Sequence, residues 1–216
     1  MVEPKADDTV ADITCVSFHA AKLITTGEGG AVFSHTSKID QFAKKYRNHG
    51  IDKSVIDKEL AGTYKYDVEF PGENYRLTDF QCELGMSQLK RINTFLTYRK
   101  TVVKLYNESL KTHNEIVPIG TSTIDSANHI YVVKLDPSIN RDRVYEYMIS
   151  KGIGVNVHYI PIHMHTYYAT KYPSNCPNAE TAAKHILTLP LFYGLSNKDT
   201  CYVLECLFDA CELFIQ

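Results

Sequence analysis

One lysine stands in a glycine-rich turn between two segments that are predicted to be strands. The stretch SFHAAKLITTGEGG covers residues 17–30, with Lys22 near its centre and three glycines toward its end. Segment 12–18 before the turn and the short apolar segment 31–33 after it both favour strands. Such a turn can hold one amine on a short loop, and a lysine amine is the group that forms Schiff bases with carbonyl compounds. The alternative is a surface lysine before a β-hairpin, and the residues alone leave both interpretations open.

The composition argues against several classes of protein. The 216 residues carry a formal net charge of −2, so no overall positive field attracts nucleic acid. No apolar run approaches the roughly 20 residues that a membrane-spanning helix needs, and the polar N-terminus MVEPKADDTV does not resemble a signal peptide. The six cysteines form no C-x-x-C pair. We therefore expect a cytoplasmic protein with reduced thiols and no membrane or nucleic-acid partner.

The first half of the chain predicts helices separated by a long loop. Ser37 is expected to be the N-cap of a helix, with Asp40 completing a capping box, and Thr78 with Gln81 forms a second capping box. Residues 50–75 show no hydrophobic period and are expected to form a loop. The predicted helices are 37–48, one that begins after Thr78, and 94–111.

The second half predicts an alternation of strands and helices. Residues 115–128 are rich in proline, glycine, serine and threonine, which indicates a connection. Asn140 is expected to cap a helix that runs to Lys151, with Gly152 in the left-handed conformation that follows a helix end. Ser196 with Asp199 is expected to cap the last helix. The remaining predicted elements are strands 130–135 and 154–160 and a helix over 179–187. This order favours an α/β or α+β fold.

Several spaced segments resemble one family of enzymes. SFHAAKLITTGEGG at 17–30 resembles the lysine segment of the DegT-type sugar aminotransferases, although alanine stands at position 20 where proline is usual. RNHG at 47–50, NYRLTDFQ at 74–81 and LTLPL at 187–191 resemble further motifs of that family in the same order. GIGVNVHYIPIH at 152–163 most resembles the branch that makes 4-amino-4,6-dideoxy sugars for pseudaminic acid. The resemblance runs from about residue 11 to the C-terminus.

The resemblance implies an α/β fold of fold type I, the fold of pyridoxal-phosphate (PLP) transferases. It implies a truncated large domain over 1–115 and a small C-terminal α/β domain over 116–216. Relatives carry a long segment before the lysine, which supplies further cofactor contacts, and only ten residues precede the matching region here. We therefore expect exposed apolar faces and strand edges, and obligate association.

The resemblance also implies roles for individual residues. Lys22 is expected to be the catalytic lysine that carries PLP and shuttles the proton. Ser17 is expected to bind the cofactor phosphate, and Asn74 to reach the cofactor phosphate of a dimer partner. The residues expected to line the sugar pocket are Arg76, His158, Tyr159 and His163. The histidines match no familiar zinc spacing, and no metal is expected.

The implied function is transfer of an amino group from an amino acid, expected to be glutamate, to a nucleotide-linked keto-sugar. The expected partners are these two substrates and either a second copy or a companion chain that carries the N-terminal half. Two alternatives remain open at this stage. The chain is an inactive remnant or a subunit that binds a companion chain, or it is a module that binds nucleotide-sugars without cofactor chemistry.

Overall fold

The computed structural model describes residues 11–120 and 126–215, and its contacts divide the chain into two units, Met1–Ile92 and Asn93–Gln216. The described elements up to Ile92 are β1 (Ile13–Ser17), β2 (Gly30–Ser34), α1 (Ser37–Tyr46), α2 (Val55–Leu60) and α3 (Asp79–Leu89). The elements that follow are α4 (Ile92–Leu110), β3 (Ile116–Ile119), β4 (Tyr131–Leu135), α5 (Arg141–Ser150), a 3₁₀ turn (Ile162–Met164), α6 (Thr166–Lys171), α7 (Pro177–His185), β5 (Ile186–Leu189) and α8 (Asn197–Leu213). This content agrees with the predicted α/β class.

The first unit is built around a two-stranded hairpin. β1 and β2 pair antiparallel, with Ile13 opposite Ser34 and Ser17 opposite Gly30. A Cβ on Gly30 would lie 2.7 Å from the carbonyl oxygen of Val16, so only glycine fits at the base of the turn. The predicted strands on either side of the lysine turn are thus confirmed.

Two helices of the first unit differ from the prediction. Ser37 is the first residue of α1 rather than its cap, and the capping position is Thr36, whose side chain makes no capping bond. The region expected to be loop contains α2, because Ser54 and Asp57 exchange the two hydrogen bonds of a capping box. The sequence offered this signal, but six residues are too few to show a hydrophobic period.

Hydrophobic side chains of the first unit remain largely accessible. No hydrophobic residue in the described part of this unit is buried. Large apolar side chains on both strands of the hairpin are 40–55% exposed, namely Ile13, Val16, Val32 and Phe33. Phe80 of α3 is 81% exposed. Exposed apolar area of this extent is typical of surfaces that bind another chain.

The second unit has a continuous core between one sheet and three helices. β4 lies between β3 and β5, and both pairings are antiparallel. Tyr131, Val133 and Leu135 alternate toward the core, as expected of a strand with one covered face. The fully buried side chains that pack with them include Tyr106, Val144, Met148, Leu187, Leu189 and Leu207.

Three elements of the second unit differ from the prediction, and each difference involves the sheet. The expected connection at 115–128 contains β3 at its start, and residues 121–125 lie outside the described residues. Instead of a strand over 154–160, a single bridge joins Asn156 to Thr188. The helix expected over 179–187 ends at His185 because the chain enters β5, which pairs with β4.

Helix caps are the elements that the sequence predicted best. The side chains of Thr78, Asn140 and Ser196 each accept a hydrogen bond from a backbone N–H three residues ahead. Gly152 has a φ of 77°, the left-handed conformation predicted for the residue that ends α5.

Helix α4 belongs to the second unit rather than to the first. The predicted boundary lay at 115/116, whereas the contacts divide the chain at 92/93. Helix α4 contributes four side chains to the buried cluster of the second unit, namely Val102, Val103, Tyr106 and Leu110. This packing explains why the boundary lies nearer the N-terminus than predicted. The assignment of functional domains stays a prediction.

All six cysteines are free thiols. Within 11–120 and 126–215, no helix combines the length and the apolar character that crossing a bilayer requires.

Candidate active site

The turn that carries Lys22 is closed by backbone hydrogen bonds at both ends. Phe18 N donates to Gly29 O at 2.9 Å, and Thr26 N donates to Phe18 O at 3.0 Å. Within the turn, Lys22 N donates to His19 O at 2.9 Å. The backbone of the lysine is therefore fixed. Its half-buried side chain makes no hydrogen bond or ion pair with the residues that the structure describes.

His19 links Ser17 to Lys22. Its backbone N–H donates to Ser17 Oγ at 3.3 Å, and its ring Nδ1 accepts from Ala21 N at 3.2 Å. Because Nδ1 accepts, the neutral ring carries its proton on Nε2, which lies 3.9 Å from Glu28 Oε1. Ser17 is exposed at the end of β1. The hydroxyl proton of Ser17 has no acceptor among the described residues.

The turn packs against the N-terminal part of α3. The side chain of Thr26 is buried, and a Cβ on Gly85 would lie 2.8 Å from its Cγ2. Thr26 Oγ1 donates to Glu28 O at 2.7 Å, and Gln81 Nε2 donates to the same carbonyl at 3.0 Å. Gln81 thus caps α3 and also holds the turn. These contacts connect the lysine motif with the motif at 74–81.

The motifs at 47–50 and 74–81 lie side by side. His49 N donates to Glu73 O at 2.9 Å, and Tyr75 N donates to Arg47 O at 3.0 Å. This bridge carries Asn74, which is exposed and makes no side-chain hydrogen bond within the described residues. Arg76 lies beyond it, and its Nη1 donates to Asn48 Oδ1 at 2.6 Å.

The predicted sugar-pocket residues of the second unit have different surroundings. His158 Nδ1 lies 2.9 Å from Thr188 Oγ1, and the Tyr159 ring is 71% exposed. His163 Nε2 lies 2.9 Å from Glu180 Oε1, and Cys176 N donates to the same oxygen at 3.2 Å. The hydrogen bond from His163 holds the pKa of Glu180 below its ordinary value, and the bond from Cys176 adds to this effect.

Within each unit the structure therefore groups the predicted residues as follows. Ser17 and Lys22 lie in one turn, and Asn74 and Arg76 lie on the neighbouring bridge of the same unit. His158, Tyr159 and His163 lie on one segment of the second unit. In the described ranges, no three or more His, Cys, Asp or Glu side chains gather as metal ligands would.

Sequence reasoning missed the residues that hold these groups. Thr26, Gly85, Thr188 and Glu180 were not singled out. For Thr26, Thr188 and Gly85 a signal existed, because Thr26 and Thr188 fall inside quoted motifs and Gly85 lies shortly after one. Glu180 acts on His163, which is 17 residues away in the sequence, and no local pattern points to it.

The chain belongs to the DegT/DnrJ/EryC1/StrS aminotransferase family, whose model matches residues 6–208. It is 31% identical over 208 residues to the UDP-4-amino-4,6-dideoxy-N-acetyl-beta-L-altrosamine transaminase of Campylobacter jejuni, covering 94% of this chain and 54% of that protein.

Two solved structures have the same fold over nearly all of this chain. Helicobacter pylori PseC, an aminotransferase of pseudaminic acid biosynthesis, superposes with a TM-score of 0.86 at 26% identity, covering 94% of this chain and 54% of PseC. Spr1654 of Streptococcus pneumoniae, described as a sugar aminotransferase and solved in a PLP form, gives a TM-score of 0.85 at 27% identity over 97% and 54%. The chain thus has the mixed α/β fold of fold type I transferases and spans about half the length of the proteins it matches.

Proposed function

We propose that this chain provides the lysine-bearing turn and the C-terminal domain of a PLP-dependent sugar aminotransferase. The enzyme moves an amino group from an amino acid, glutamate in this proposal, to a nucleotide-linked keto-sugar. The observation that carries the proposal is the Lys22 turn, in which the backbone is fixed and the amine is left without a partner among the described residues. Membership of the family supports the reaction class.

The donor set of the turn fits a cofactor that carries an aldehyde and a phosphate. An unpartnered amine suits an aldehyde, and the exposed hydroxyl of Ser17 has a proton to donate to a phosphate oxygen. The exposed amide of Asn74 is a further neutral donor. His19 keeps the hydroxyl and the amine in one turn, because its backbone N–H donates to Ser17 Oγ and its ring Nδ1 accepts from Ala21 N.

Bound PLP supplies an electrophilic carbonyl and an electron sink. Lys22 Nζ would hold the cofactor at its carbonyl group, and the free amine would serve as the base for the proton on the α-carbon of the amino donor. The same amine would deliver the proton to the sugar carbon that receives the amino group. Ser17 Oγ would hold the phosphate, and Asn74 would reach the phosphate in the partner's site. The residues proposed to contact the nucleotide-sugar are Arg76, His158, Tyr159 and His163.

The apolar surface of the first unit supports a partner for this chain. Ile13, Val16, Val32 and Phe33 expose apolar atoms on the hairpin that precedes and follows the lysine turn. We propose that either a second copy or a companion chain covers them, and that Asn74 then serves the partner's site. Light scattering at several concentrations tests this point. A monodisperse monomer at high concentration would contradict the second copy.

The second candidate is a catalytically inactive subunit. The same exposed surface supports this candidate, because an inactive subunit needs only a partner chain to cover that surface. Production of 2-oxoglutarate from glutamate separates the two candidates. We expect the full chain with PLP, alone or with its companion, to bleach a visible cofactor band as 2-oxoglutarate forms. We expect K22A to abolish both signals and K38A, a change at an exposed lysine of α1, to retain them. A folded chain with neither signal would favour the inactive subunit.

A further inference from the structure

The second unit contains a contact between two motifs that the proposed mechanism leaves unused. Thr188 lies in LTLPL at 187–191, and its backbone makes a two-bond bridge with Asn156 of the GIGVNVHYIPIH segment. Thr188 N donates to Asn156 O at 2.7 Å, and Asn156 N donates to Thr188 O at 3.2 Å. Two residues further on, His158 turns its Nδ1 to Thr188 Oγ1 at 2.9 Å. The backbone bridge fixes the main chain of this segment, and the side-chain hydrogen bond fixes the ring of His158.

The proton on this hydrogen bond can be assigned from the surroundings of Thr188. The residue is 6% exposed, so its hydroxyl proton needs an acceptor within the protein. Among the described residues, the hydroxyl has one hydrogen-bond partner, His158 Nδ1. The hydroxyl therefore donates, and Nδ1 accepts. A neutral imidazole that accepts at Nδ1 carries its proton on Nε2.

The opposite edge of the ring is available to a ligand. His158 is half-buried, and its Nε2 has no hydrogen-bond partner within the described part of the chain. An N–H group in this position recognises an oxygen acceptor, such as a sugar hydroxyl or carbonyl oxygen or a phosphate oxygen. Because Thr188 sets the tautomer of His158, it also makes Nε2 of that ring a donor to an acceptor atom of the ligand.

We propose that Thr188 is a positioning residue that holds His158 as an Nε2–H donor to an oxygen atom of the nucleotide-sugar. The identity of the ligand rests on the proposed function, whereas the state of the ring does not. Thr188 has no contact with the ligand in this proposal and acts through His158 alone.

The first test reads the ring directly in the full chain. Long-range ¹H–¹⁵N correlation spectra of histidine-labelled protein, with the His158 signal assigned by comparison with H158Q, report which nitrogen carries the proton. We expect the Nε2–H form in the wild type and in T188S, which keeps the hydroxyl. We expect a mixture of both tautomers in T188V, which keeps the shape but lacks the hydroxyl. An Nδ1–H ring in the wild type, or an unchanged ring in T188V, would overturn the proposal.

The second test measures recognition with UDP-N-acetylglucosamine as the probe, by calorimetric titration of the full chain. Loss of one orienting hydrogen bond is expected to weaken binding about five-fold in T188V and less than two-fold in T188S. In an H158Q background, T188V should have no further effect because both changes act on one contact. Additive losses would mean that Thr188 acts independently of His158.

The two tests also separate this inference from the proposed function. A wild-type chain that has the Nε2–H tautomer and binds no nucleotide-sugar would contradict the sugar as the acceptor, and with it the recognition step of the proposal. A chain that binds the probe but has the opposite tautomer would contradict the role of Thr188 and leave the proposed function standing.

Discussion

Thr26 of the lysine turn and Gly85 of α3 lie so close that their contact excludes a side chain at position 85. A Cβ on Gly85 would lie 2.8 Å from Thr26 Cγ2, closer than carbon atoms in van der Waals contact. The glycine therefore lets the helix approach the turn, and the methyl group of the threonine fills the space. The position of the Lys22 turn depends on this contact and on the hydrogen bonds from Gln81 and Thr26 to Glu28 O.

G85A is expected to lower the free energy of unfolding by about 1–2 kcal/mol. Alanine in a helix interior normally adds about 0.5–1 kcal/mol relative to glycine, but forcing a methyl group into a filled contact costs about 1–3 kcal/mol. Urea denaturation followed by circular dichroism measures the difference. In a T26S background, which removes Cγ2 and keeps the hydroxyl, G85A should be neutral or stabilising. An equal loss in both backgrounds would show that the contact is not the cause.

G72A is expected to separate the segments that carry Arg47 and Asn74. A Cβ at position 72 would lie 2.7 Å from Tyr46 O and 2.8 Å from the carbonyl carbon of His49, which are backbone atoms with little room to shift. Hydrogen exchange should accelerate at the amides of His49 and Tyr75. As a control, G62A changes a glycine with open space around it, so any strain from its φ of 58° should leave these two amides protected. Unchanged protection in G72A would contradict the close packing.

The pair of His163 and Glu180 is expected to make the second unit less stable in acid. Because the hydrogen bond from His163 lowers the pKa of Glu180 in the folded state, the pair contributes stability above the ordinary glutamate pKa of 4.5. That contribution is lost as the pH falls through the lower folded-state pKa. In H163F, ¹³C titration of the Glu180 carboxyl group should give a pKa closer to the ordinary value. A pKa that stays equally low would assign the shift to Cys176 N instead.

Arg99 is expected to be essential for the stability of the second unit. Its Nη1 donates to the carbonyl oxygens of Asn128, His129 and Leu191 at 2.9–3.2 Å, and the residue is 7% exposed. Burial lowers the pKa of the guanidinium from its ordinary value, and the group remains charged at neutral pH. R99M should cost about 2–3 kcal/mol, since charged hydrogen bonds are lost and carbonyl groups are left unpaired. K104M, an exposed change on the same helix, should have little effect, and similar losses in both variants would contradict this role.

Local chemistry predicted the parts of the fold that depend on neighbouring residues. The caps at Thr78, Asn140 and Ser196 each join atoms three residues apart, so the sequence contains all that is needed to predict them. Gly152 likewise ends α5 through its own backbone conformation. The strands around Lys22 were predicted for the same reason, since a turn rich in glycine joins them directly.

Contacts between distant residues could not be predicted in the same way. The segment at 154–160 has the composition of a strand but makes only one bridge, to Thr188, among the described residues. His158 and Thr188 are 30 residues apart, and the sequence gives no sign of their contact. The resemblance to the family pointed to the residue types of the site, whereas the tautomer of His158 and the packing of Thr26 follow from tertiary structure.

Peptide mapping after borohydride reduction of the chain with stoichiometric PLP shows whether the Lys22 turn holds the cofactor. We expect to find the reduced pyridoxyl group on Lys22, and we expect K22R, which keeps the charge, to lose the label. K38R should retain the label, because this lysine lies on α1 outside the turn. A label spread over surface lysines, or one of equal yield in K22R, would contradict the claim that this turn holds the cofactor.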